Sequence, residues 1–86
     1  QAVDYITSDA QGKSFNVYYD LPFGFNTGYS YLFKAKGRMP QEGGENLYII
    51  ELASPEEFDI QKYQSAFSDK SVQAKTFSYL YVVSVK

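Results

Sequence analysis

Hydrophobic and polar positions alternate with a period of two along most of this chain, the pattern of strands half-buried on a sheet. Over residues 13–19, Phe15, Val17 and Tyr19 share one face, with Ser14 and Asn16 on the other. Over 29–38, Tyr29, Tyr31, Phe33 and Ala35 alternate with Ser30, Leu32, Lys34, Lys36 and Arg38. The run 76–85 sets Phe77, Tyr79, Tyr81, Val83 and Val85 against Thr76, Ser78, Leu80, Val82 and Ser84. Its second face is partly apolar, so it reads as a central strand. Shorter strand signals lie at 46–52 and 2–7.

One segment changes period. Ser54-Pro55-Glu56-Glu57 combines a capping Ser, Pro at the first helical position and Glu three residues after the cap. That is a capping box with acids placed well against the helix dipole. Ile60, Tyr63 and Phe67 follow at i, i+3, i+7, beside Phe58 and Ala66, and predict a helix over about 55–68. Turn residues punctuate 10–12, 20–28 and 39–45.

The predicted order is therefore β-β-β-β-α-β. It implies a single β-dominated α+β domain over 1–86, either an antiparallel meander or a small, partly closed barrel of about five strands. One helix precedes the last strand. An OB-type barrel has a similar inventory but sets its helix between the third and fourth strands. The expected core is Phe15, Val17, Tyr31, Phe33, Ile50, Ile60, Phe67, Tyr79, Tyr81 and Val83.

Composition narrows the chemistry. The 86 residues include nine Tyr and seven Phe but no Trp, Cys or His, so neither a thiolate nor an imidazole is available for catalysis or metal binding. With no crosslink to help, the rings must supply the stability, each able to bury about 150–250 Å². There are more of them than so small a core needs. A net charge of −2 is too balanced to make nucleic acid the default partner. No run approaches a membrane span. The start at Gln1 is compatible with a processed exported protein or an excised domain.

Three features could carry function. The loop 20–28 places Phe23 and Phe25 around Gly24, as aromatic anchors for a partner or as a cap over an open end of the core. The second is a basic stripe, Lys34, Lys36 and Arg38, on one face of one predicted strand with Tyr18 and Leu32 close by. Single-stranded nucleic acid is bound by such mixtures of rings and cations, although Lys on a strand also blunts an edge. Third, Glu42, Glu45, Glu51, Glu56, Glu57 and Asp59 fall within 41–60, which contains no Lys or Arg. That polarity could steer a basic partner or support self-association, but part of it is helix capping. No EF-hand spacing, nucleophile elbow or phosphate loop occurs, and Gly43-Gly44 reads simply as a turn.

The resulting expectation is a non-catalytic binding module that contacts a protein or polymeric ligand through Phe23, Phe25 and Tyr18, without a cofactor or metal. A single-stranded nucleic-acid binder using Lys34, Lys36 and Arg38 is the first alternative. A structural subunit that self-associates is the second.

Overall fold

The computed structural model describes residues 2–20, 25–77 and 79–86, with backbone alone for 25–28 and 30. Among them are α1 (Ala2–Ala10), β1 (Phe15–Asp20), α2 (Phe25–Ala35), β2 (Asn46–Leu52), α3 (Ile60–Ala66), β3 (Val72–Phe77) and β4 (Leu80–Val85). The strands form one open sheet in the order β1-β2-β4-β3. β1 and β2 are parallel, while β4 is antiparallel to both β2 and β3. The α+β class holds. The five strands, the partly closed barrel and the all-antiparallel meander do not hold among the described residues, which form four strands in a mixed, open sheet.

Two predicted strands are helices. In 2–10, Ala2, Val3, Ile6 and Ala10 are buried together, a helical spacing that the short alternating reading overlooked. In 25–35, Tyr29, Leu32 and Phe33 turn inward at i, i+3, i+4, whereas Tyr31 stands 72% exposed. Gly37, at φ 72°, closes α2: its N–H donates to Lys34 O at 3.0 Å and Arg38 N–H donates to Phe33 O at 3.1 Å. This paired closure requires the left-handed conformation that glycine adopts without strain. Once 25–35 is a helix, it is a crossover between β1 and β2, and a crossover makes neighbouring strands parallel.

The predicted helix also shifts. Ser54 O accepts from the N–H groups of both Glu57 and Phe58 at 3.0 Å, so one turn forms where the capping box stands. The Glu57 carboxylate reaches back to Ser54 N and Oγ. Then the chain breaks, because Phe58 stacks flat on Tyr81 with centroids 3.9 Å apart and Asp59 is extended at φ −129°, ψ 102°. Asp59 caps the real helix by accepting from Gln61 N–H at 3.0 Å. The long terminal run is two strands, with Phe77 paired to Leu80 across the hairpin. Tyr79, expected in the core, is 61% exposed there.

Helices cover both faces of the sheet. On the first, α1 and α2 bury Phe15, Val17, Tyr48, Ile50 and Val82 together with Val3, Ile6 and Phe33. On the second, α3 packs Tyr63 against Ile49, Val83 and Val85, with Ile60, Phe58 and Phe67 half-buried around them. Gly44 holds the base of β1 in place: a Cβ there would lie 2.5 Å from the Phe15 carbonyl carbon. That close approach, and not only a turn, is what the second glycine provides.

Candidate functional site: a groove beside α3

α3 is seven residues, or roughly 10 Å of helix, too short to span the second face. It lies over β2, β4 and β3 and leaves the outer strand β1 bare. The β1 sequence Phe-Asn-Val-Tyr-Tyr-Asp sends Phe15, Val17 and Tyr19 to the covered face and Asn16, Tyr18 and Asp20 to the other. A groove of about 510 Å³ results. Its floor is Leu47 and Ile49 of β2, its walls Asn16, Tyr18 and Asp20 on one side and Lys62, Tyr63, Ala66 and Phe67 on the other. Tyr18 is 63% exposed, a large ring over an apolar floor.

Charge is concentrated at one end. Glu51 is buried, yet its carboxylate accepts a hydrogen bond from the Tyr63 hydroxyl and lies 3.4 Å from Lys62 Nζ. Lys62 also sits 4.9 Å from the centroid of the Tyr63 ring. Burial, followed by the Glu51 carboxylate, pushes the Tyr63 phenol above its ordinary value. Asp20 is opposite Glu51 in the strand register and has no ion-pair partner among the described residues.

The first face carries the matching triplet in reverse. There the strand supplies the tyrosine: Tyr48 OH donates to Asp9 Oδ2 of α1 at 2.8 Å, and Lys86 Nζ approaches the same oxygen at 2.7 Å. Asn46 Nδ2 donates to the Tyr48 hydroxyl at 3.3 Å. Burial raises the Tyr48 phenol, and Asp9 adds to the effect. Burial also pushes Asp9 up, but the hydrogen bonds from Lys86 and Tyr48 outweigh it and leave the carboxyl below its usual 3.8.

Of the site residues predicted from sequence, Tyr18 is the one that lines the groove among the described residues. Phe23 lies outside the described residues, and Phe25 is the first residue of α2. The basic stripe is dispersed because its segment is helical. Lys34 is in the last turn of α2 and Lys36 just past its end, so the two do not share one strand face. Lys36 is ion-paired with Asp4. Arg38 donates to Lys13 O at 2.9 Å and lies 5.3 Å from the Phe15 ring centroid. Leu32 packs on the α1–α2 side of the sheet, opposite Tyr18.

Sequence reasoning missed Leu47, Ile49, Lys62 and Phe67 as a unit. The signal was present: 46–52 is apolar on both faces, whereas β1 is apolar on one, so β2 offers an apolar strip beside a strand whose outer face is polar or amphipathic. The other exposed tyrosines, Tyr31 and Tyr79, are on α2 and the β3–β4 hairpin, apart from the groove. Among the described residues, no three acids gather to hold a metal ion. No helix among them is long and apolar enough to cross a membrane. Compared with known proteins, the chain matches no family model, and no curated protein or solved structure is significantly similar to it.

Proposed function

We propose that this protein is a non-catalytic interaction module that receives a protein or other polymeric ligand in the groove between β1 and α3. The single observation behind this reading is an exposed Tyr18 ring over the Leu47–Ile49 floor, facing a half-buried Phe67. At some 510 Å³ the groove matches clefts that hold drug-sized molecules, about 300–1,000 Å³, which is room for a few side chains of a larger ligand. Tyrosine at its wall offers rigid amphipathic contact area at low entropic cost. A catalytic reading finds little support, since Glu51, the buried carboxylate among the described residues, is occupied by Tyr63 and Lys62.

The nucleic-acid alternative is weakened because two of the three cations it would use, Lys36 and Arg38, are engaged within the chain. The test is affinity capture of a partner by the natural protein, Tyr18→Ala and Ala66→Arg in parallel, at low and moderate salt. The groove reading requires one partner, kept at moderate salt and lost from both variants. A partner held equally by all three proteins would sink it, and a steep loss with salt would favour phosphate contacts instead.

A further inference from the structure

We infer that the occupant of the groove is an amphipathic α-helix of a partner protein, laid beside α3 with a Lys- or Arg-bearing flank toward Asp20. This rests on the reading of the groove as a recognition surface and adds the conformation and charge of what fills it.

The backbone of β1 argues for a helix and against an added strand. Asn46 N–H donates to Ser14 O at 3.2 Å, so in this parallel register the even-numbered residues of β1 bond to β2. Phe15 and Val17 therefore turn their N–H and C=O groups to the outer edge. Two of those groups are already taken. Gln41 N–H donates to Phe15 O at 2.7 Å, and Val17 N–H donates to Asn16 Oδ1 at 2.9 Å. Strand addition would have to break both. An extended peptide lying in the groove without strand pairing would leave its own backbone groups unbonded over Leu47, Ile49 and Phe67, which is costly. A helix bonds its backbone internally and needs only side-chain contacts.

Layer geometry points the same way. Two helices cover the first face and one covers the second. Parallel strands such as β1 and β2 usually have both faces covered. Neighbouring helices pack about 8–10 Å apart, roughly two strand spacings of 4.8 Å, which carries a helix from beside α3 to above β1. Charge sets the flank. Lys62 already answers Glu51, so Asp20, which lines the groove, remains for a basic side chain from the partner.

The experiment selects binders to the whole protein from two display libraries of equal composition, with peptides of about 14 residues, or four helical turns. One library is patterned at i, i+3, i+4, i+7 and the other alternates. The helical library should yield binders with Lys or Arg on one flank, weakened at least tenfold by Tyr18→Ala and by Ala66→Arg. Asp20→Lys should shift selection toward acidic flanks. Because Tyr18, Ala66 and Asp20 are exposed, unchanged melting curves are expected for the variants. Amide shifts on the unmodified protein, centred on Asn16, Tyr18, Ile49 and Phe67, provide a reading independent of any variant. Groove-dependent binders from the alternating library alone would overturn the helix and leave the recognition surface standing. Binders from neither library that respond to Ala66→Arg would overturn both. Helical binders with acidic flanks would overturn the charge assignment.

Discussion

The two faces of the sheet use the same parts to different ends. Each has a Tyr–carboxylate–Lys triplet, Tyr48–Asp9–Lys86 on the first and Tyr63–Glu51–Lys62 on the second. On the first face two helices close over Phe15, Phe33, Tyr48 and Ile50, all almost wholly buried. On the second face one short helix leaves Leu47, Ile60 and Phe67 half-buried and a groove beside them. The contrast teaches that cover is divided unevenly between the faces, one closed into a core and the other left partly open. How much a residue's burial contributes depends on how many helices lie above it.

Truncation tests that division most directly. Phe33→Ala removes a fully buried ring and should cost about 3–5 kcal/mol, enough to unfold most of the protein. Phe67→Ala removes a half-buried one and should cost about 1–2 kcal/mol. Urea melts of the two variants measure both. Equal losses would show that the second face is as much a core as the first. Next in size is Gly44→Ala, whose methyl would run into the Phe15 backbone at the base of the first face. A loss of about 1–3 kcal/mol is expected, and an unchanged melting point would refute the close approach.

The triplets sharpen the comparison at alkaline pH. Tyr48 and Tyr63 are both raised, chiefly by burial, so the folded state holds protons that the unfolded chain releases. Their stabilising effect is complete below pH 10, the ordinary phenol value, and is lost as pH climbs toward the folded values. Tyr48→Phe and Tyr63→Phe should each flatten that alkaline decline, at about 1–3 kcal/mol of stability near neutral pH. Melting curves between neutral pH and strong alkali would show it, and a decline of unchanged steepness in either variant would contradict the burial of that hydroxyl.

The smallest effect is at acid pH. Asp9 is lowered from 3.8, so its contribution is present above that value and fades as pH falls through the folded value. Asp9→Asn should lose the acid-sensitive part of the melting curve and leave its alkaline limb. If the acid limb persists unaltered, the Asp9–Lys86 contact does not stabilise the first face.

Much of the fold could be read directly. Residues 46–52 form β2 as predicted, and the alternation of Phe15, Val17 and Tyr19 matches β1. The run 80–85 is indeed a central strand, between β2 and β3. Other segments were ambiguous for a physical reason. Over 29–35, tyrosines satisfy both a period of two and a helical stripe, because a ring with a hydroxyl is at home buried or exposed. Gly37 was the deciding signal, since a glycine after Lys34 and Lys36 ends a helix more readily than it interrupts a strand. The site was less legible still, because Tyr18, Ile49 and Phe67 are far apart in the chain and meet only through the parallel register.

By itself the sequence determined the α+β class, two strands and half of a third, the turns at 10–12 and 39–45, and a chemistry without thiolate or imidazole. These follow from local period and composition, which need no partner to be expressed. Tertiary structure decided the direction of β1 against β2, the break at Phe58 before α3, and the groove. Each depends on contacts between distant segments: a crossover helix, a ring stacked on Tyr81, and an α3 too short to reach the edge strand.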